Sequence, residues 1–267
     1  MALEANTFLF VGDTAVGTKL SANLTDAGFQ TATGLSSADV VFTYNESQSG
    51  LEDVYLADGG LLSDTKEDVI LVDVSPTTPT FAKELFAVAR VSERHVVDAP
   101  LVVGDLTNED AFANPQNLVA FVGAESDTFA AVEPMLKAIA ARVEYMGMPG
   151  AGQTAKVATT LQDAAGVVAL VEAYTSLVNS EEKVDLDAYL DAVQDYGIIA
   201  PKQIAVFQAI CSNSFTGSYS LGTLMSELTA ALTAMDDRDI ILPQAESCFH
   251  LMSCWRWWVL IRITPPH

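Results

Sequence analysis

In a chain with only 13 lysines and arginines against 35 acids, Lys156 stands at an unexpected point. It lies in "GMPGAGQTAKVATT" (147–160), behind three glycines and a proline and just inside a long run of helix formers. A helix start is a poor place for a solvated cation, because the macrodipole already puts positive charge there. The second stretch that could do chemistry is "VGDTAVG" (11–17), which follows a short apolar run and opens a helical one. That is the position of a dinucleotide fingerprint G-x-G-x-x-G, with Gly12 as the first glycine and Gly17 as the third. Thr14 replaces the middle glycine, whose missing side chain lets backbone approach a pyrophosphate. Asp13 adds a carboxylate at the helix N-terminus, where it competes with phosphate for the same dipole.

The elements that must position these groups are legible as alternating patterns. "TFLFV" (7–11), "ADVVFTY" (38–44), "DVILVDVS" (68–75), "RHVVDAPLVV" (94–103) and "NLVAFVG" (117–123) are short branched runs of buried-strand type. Leu20, Leu24 and Ala27 recur at helical spacing, Gly28 supplies a stop, and 79–90 and 126–141 are also helical. Strands alternating with helices predict a mostly parallel α/β sheet covered on both faces. From Gln153 to about Asn179 one long helix is expected, then helices over 185–196, 200–212 and 222–235 with no strand between them. The division expected is 1–150 for the α/β part, 151–246 for an all-helical part, and 247–267 for an atypical tail.

Composition bounds the partners. A net charge of −22 repels phosphate backbones and anionic lipid, so neither nucleic acid nor membrane is an expected partner. Three cysteines (Cys211, Cys248 and Cys254) do not make a disulfide framework and fit a reducing, cytoplasmic setting. The start "MALEANTFLFVG" has no basic segment of signal-peptide type, and no run of 18 uncharged apolar residues predicts a membrane span. The last 21 residues contain no acid and all three tryptophans. They read either as a docking segment or as an out-of-frame end. Cys248, His250, Cys254 and His267 match no zinc spacing, and no metal is expected.

The order of "FVGDTAVGTKLSANLTDAGF", "ADVVFTY", "DVSPTTP", "VVDAPLVVG", "LVAFVG", "VEPMLKAIA" and "GMPGAGQTAKVATT" resembles the 3-hydroxyisobutyrate dehydrogenase (β-hydroxyacid dehydrogenase) family over about 7–245. The most specific part is G-x-G-Q-x-x-K following "DAP". The resemblance implies a Rossmann-like NAD(P)-binding domain, then a helical domain carrying one long interdomain helix and shaping the substrate site and a homodimer. It implies reversible hydride transfer between NAD or NADP and a small 3-hydroxy acid. Lys156 matches the catalytic lysine. Thr160 and Gly104 fall at substrate-binding positions, and Gly12, Thr14, Gly17, Ser75, Gly150 and Gly152 at cofactor-binding ones.

Several positions depart from that pattern. Thr160 stands for an asparagine, Val102 and Val103 for the serine and glycine that meet a substrate carboxylate, and Pro76 for a threonine. Ser226 and Glu227 occupy the place of a lysine–aspartate pair. "FQTATGLSS" (29–37) has no charged residue to read the cofactor's ribose, and the spacing to "ADVVFTY" leaves room for a single βαβ unit where the family has two. The second strand, its helix and the adenosine-reading arm are therefore expected to be missing, with one apolar sheet edge uncovered. An active dehydrogenase, a degenerate non-catalytic relative, and a site remodelled for a neutral ligand all remain open on these residues.

Overall fold

Branched apolar runs become the sheet, and runs with 3.6-residue spacing become the helices that cover it. The computed structural model describes residues 3, 5–214 and 216–263. Its first half contains β1 (Thr7–Gly12), α1 (Thr14–Asp26), β2 (Gln30–Thr31), β3 (Val40–Tyr44), α2 (Gln48–Leu56), α3 (Leu61–Asp64) and β4 (Ile70–Asp73). These are followed by α4 (Pro79–Val91), β5 (His95–Asp98), β6 (Leu101–Val103), β7 (Leu118–Gly123), α5 (Ser126–Ile139) and β8 (Arg142–Gly147). The second half is helical: α6 (Ala151–Val178), α7 (Leu186–Asp195), α8 (Pro201–Ser212), α9 (Leu221–Asp236) and α10 (Pro243–Ile263). A Rossmann-like α/β part followed by a helical part is the architecture the sequence implies.

The sheet runs β2-β1-β3-β4-β5-β7-β6, with β8 also paired to β7. β2, β1, β3, β4 and β5 are mutually parallel, while β7 runs antiparallel to β5 and β6. Every residue of β3 and β4 is buried, as strands covered on both faces require. In α1, Val16, Leu20 and Leu24 form one buried face that packs into the same cluster as Phe8, Val40 and Phe42 of the sheet.

The edge of the sheet differs from expectation. A second strand survives as two residues, pairing Thr7 with Gln30 and Phe8 with Thr31. What is missing is the helix and strand that would follow it. The chain crosses to β3 through a single 3₁₀ turn at Leu35–Ser37. Nor is the edge bare: Ala32 and Leu35 pack with Leu9 and Val11 against the cluster of Val41, Leu71 and Phe81. α2, α3 and β8 are additional to the elements the sequence predicts. β8 is exposed or half-buried along its whole length, so it carries no apolar alternation to read.

α6 is the longest helix described, at 28 residues. With an 18-residue window of mean hydropathy 1.2 it is long and apolar enough to cross a bilayer by length and composition, although no span is expected from the sequence. Its first half carries buried polar side chains, Gln153, Lys156 and Thr160, that face the rest of the protein. α10 packs on α6 and α9, burying Cys248 and Met252, so the first turns of the atypical tail belong to the core. His250 and Cys254 are exposed while Cys248 is buried, and His267 and the side chains beyond Trp255 lie outside the described residues.

One joint fastens α6 to the sheet. Gly150, which precedes the helix, has φ 91, a left-handed conformation that favours glycine, and a Cβ there would lie 3.0 Å from the Pro79 carbonyl oxygen. This turn brings two orphan N–H groups of the helix start onto the Asp98 carboxylate at the end of β5. Gly150 donates to Oδ1 at 2.7 Å and Gln153 to Oδ2 at 2.9 Å. Asp98 lies in register with Asp73 on β4, and both are buried. Burial pushes each carboxyl up to about 7, and the Asp73 charge adds to the rise at Asp98 while hydrogen bonds hold both down in part.

A pH dependence of stability follows. Because the folded-state values lie above the ordinary carboxylate value of 3.8, the folded protein binds more protons than the unfolded chain between about pH 4 and 7. Stability is therefore full below that window and is lost as pH rises through 7. In Asp73→Asn, which keeps an oxygen for the Ser75 N–H, urea unfolding should lose about 1–3 kcal/mol less than wild type between pH 5 and pH 8.

Candidate functional site

The site gathers at the carboxyl ends of β1, β3, β4 and β5, beneath the start of α6. The Asp13 N–H donates to the Tyr44 carbonyl at 2.9 Å, and the Asn45 N–H to the Ser75 hydroxyl at 3.0 Å, so three strand ends are stitched together. Gln153, wholly buried, bridges to the same row. Its Nε2 donates to the Ser75 carbonyl at 2.8 Å, and its Oε1 accepts from the Thr77 N–H at 3.0 Å. Asp98 and Gln153 are thus the parts of the site that residue-type reasoning did not single out. Their signal was present in "DAP" and in the glutamine of G-x-G-Q-x-x-K.

Lys156 lies one turn further along α6 and is buried, with its Nζ 2.7 Å from Glu227 Oε2 on α9. Thr160, one turn beyond on the same face, donates to that same oxygen at 3.2 Å. The sequence noted Glu227 only as the occupant of a changed position; here it is the partner of both groups. Burial and the Glu227 carboxylate push the Tyr219 phenol well above its ordinary value, and burial and the same carboxylate raise Tyr44. Tyr44 also feels Glu46, Asp13 and Asp73. Four carboxylates therefore act on the Tyr44 phenol.

The remaining expected positions divide into two kinds. Gly12, with φ 120, turns the chain so closely past the Tyr44 carbonyl oxygen that a Cβ would collide with it, and Gly17 lies against the Phe10 ring. Two of the three glycine roles of a dinucleotide turn are thus built into this backbone. Thr77, whose buried hydroxyl has no partner, leaves an unspent polar group beside Gln153. By contrast, Ser75 is fully buried and spent on internal bonds, Thr14 is exposed at the helix start, and Gly104 donates its N–H to the Asn117 carbonyl at 2.7 Å. Gly152 sits where a Cβ would meet the Asp98 carboxylate and backbone. Nothing joins Gly104 directly to Lys156.

The backbone fits a nicotinamide dinucleotide, but one side chain contests the phosphate position. Asp13 caps α1, accepting the Ala15 N–H at 2.8 Å and the Val16 N–H at 3.0 Å through a single carboxylate oxygen. Those are the donors an anion at a helix N-terminus would use. A cavity of about 980 Å³ lies elsewhere, at the amino ends of the strands around Asp39, Lys66 and His95.

Strand order and first-turn geometry define a Rossmann-like dinucleotide-binding fold followed by a helical part. The profile of the NAD binding domain of 6-phosphogluconate dehydrogenase matches residues 14–147, half of the chain, and the chain belongs to that family of NAD-binding domains, whose cofactor is NAD or NADP. An uncharacterised oxidoreductase of Bacillus subtilis is 29% identical over 136 residues, 51% of this chain and 46% of its own. A probable 3-hydroxyisobutyrate dehydrogenase-like protein of Arabidopsis thaliana is 33% identical over 160 residues, 59% of this chain and 47% of its own. The chain spans about half the length of these curated relatives. In fold it is similar to 3-hydroxyisobutyrate dehydrogenase from Salmonella typhimurium, at a TM-score of 0.77 with 17% identity over 93% of both chains.

Removing the competing carboxylate should expose the helix donors to phosphate. Glycine at an N-cap costs only a few tenths of a kcal/mol relative to aspartate, so Asp13→Gly should fold normally. It is expected to bind NADH about five- to tenfold more tightly than wild type, about 1 kcal/mol, by titration of nicotinamide fluorescence.

Proposed function

We propose that the protein is an NAD(P)-dependent oxidoreductase of the 3-hydroxyacid dehydrogenase type, acting on a small 3-hydroxy acid or an acyl derivative of one. The observation that carries this reading is the buried Lys156, held by Glu227 at 2.7 Å beside the closed strand-end row. Gly12, Thr14 and Gly17 would hold the cofactor's phosphates, with Ser75, Gly150 and Gly152 nearer the nicotinamide. Bound NAD(P) supplies a two-electron hydride acceptor, so that a carbinol becomes a carbonyl and its hydroxyl proton is released.

This chain's own residues do the positioning. The Lys156 ammonium is ion-paired with Glu227, and its N–H donors are the groups this reading directs at the substrate oxygen. Glu227 fixes the lysine's direction, Thr160 fixes Glu227, and burial of all three keeps bulk water from the reacting atoms. In this reading residues 1–150 carry the cofactor, 151–246 shape the substrate site and a homodimer, and 247–267 form an appended segment. The exposed Val178 at the end of α6 and Tyr196 and Ile198 just after α7 supply apolar surface for such a dimer. The cysteine usage supports a cytoplasmic setting, and the net charge of −22 is unfavourable to nucleic-acid or anionic membrane partners.

A second reading, a non-catalytic relative, is favoured by one observation, the Asp13 carboxylate occupying the phosphate donors. Titration with NADH and NADPH separates the two. Saturation below about 1 mM, about −4 kcal/mol, supports the oxidoreductase, and a flat response from folded protein supports the relative. Lys156→Ala should retain cofactor binding while kcat falls at least about a hundredfold; unchanged turnover in that variant would remove Lys156 from the mechanism.

A further inference from the structure

The strand that leads into α6 has an open edge. β5 pairs with β7 at Gly123 and β6 pairs with it at Leu118–Ala120, while β8 takes the other side of β7 and pairs with no further strand among the described residues. The Ala141 N–H turns inward to the Leu118 carbonyl at 3.1 Å. Backbone groups alternate in direction along a strand, so the N–H and C=O of Arg142 and Glu144 turn outward as the unpaired donors and acceptors of a sheet edge. A register shift against β7 at Val122/Gly123 ends the regular stretch after Tyr145.

The side chains on this edge are accessible. Arg142 and Glu144, two positions apart on one face, are 73% and 40% exposed and are ion-paired through Nε and Oε1. That pair leaves further guanidinium donors and the second carboxylate oxygen for another partner. Tyr145, Met146 and Met148 are exposed beside them and add apolar surface.

The charges choose the occupant. A second copy of β8 can lie antiparallel to the first about a two-fold axis, with outward groups meeting outward groups, in only a few registers. Two of these set Arg142 opposite Arg142 or Glu144 opposite Glu144, and like charges directly opposite are destabilising. The register with Val143 on the axis sets Arg142 of each copy opposite the partner's Glu144. Both of those pairs then exchange N–H···O=C bonds, and the charges alternate in sign around the axis. Charges on an edge ordinarily keep it from pairing; in this register they match the chain to itself. The net charge of −22 opposes the approach of two copies, but that repulsion is screened beyond about 8–10 Å at about 0.1–0.15 M salt, whereas strand pairing acts at contact.

We propose that β8 is a self-association strand, through which two copies of this chain join their eight-stranded sheets edge to edge, with Val143 at the two-fold axis and Arg142 paired with the partner's Glu144. This surface is separate from Val178, Tyr196 and Ile198 in the helical part, and it does not depend on the oxidoreductase reading.

Sedimentation equilibrium at about 0.15 M salt compares wild type with Arg142→Glu, Glu144→Arg and the variant carrying both exchanges. Each single reversal, at an exposed position, should raise the concentration at which the largest assembly forms at least about tenfold, leaving a species of half its mass. The double variant restores opposite signs in the same register and should assemble as wild type does. In hydrogen exchange, the Arg142 and Glu144 amides should slow as the wild-type concentration rises, a signal that association through the helical part would not give. Assembly unchanged in both single variants, no rescue by the double exchange, or a wild type that stays monomeric overturns the proposal.

Discussion

Everything at this site depends on how the start of α6 is fastened. The Asp98 carboxylate takes the Gly150 and Gln153 N–H groups, and the Gln153 side chain reaches back to Ser75 and Thr77. These bonds join the last strand of the parallel group to a helix that runs through the second half of the chain. They fix the rotation of α6 about its own axis. Lys156 and Thr160 therefore point at α9, because positions one turn apart share a face. Without that anchor the lysine would have no fixed partner and the cleft no fixed width.

The anchor has an electrostatic cost that the molecule accepts elsewhere as well. Asp73 and Asp98 are buried side by side, and burial holds both far above their usual titration range. Lys156 and Glu227 repeat the theme in opposite signs, where each buried charge is tolerable because the other is there. The charges near the site are thus spent on one another. Such a site is pre-organised, since little side-chain motion is left to freeze when a ligand arrives.

Much of this was legible in the residues. The branched runs mark β1, β3, β4, β5 and β7, and the proline-free stretch after Gly152 marks α6, because burial on both faces and helical continuity each leave a direct signature in residue type. β8 left none, being half-exposed, and β2 left none, being two exposed residues. The site was legible in position but not in partnership. Lys156 and Asp13 could be named from the residues and Thr160 from the resemblance, and even the conflict between Asp13 and phosphate could be stated. That Glu227 would pair with Lys156 and accept from Thr160 could not, because Thr160 and Glu227 are 67 residues apart and no local pattern encodes how two helices dock.

The short crossing from β2 to β3 has a broader meaning. The missing helix and strand would have been added outside β2, at the rim of the sheet, so no ladder in the interior has to be rejoined across the gap. Ala32 and Leu35 close the rim with two side chains. A change confined to that rim therefore leaves the parallel ladder from β1 through β3 and β4 to β5 intact.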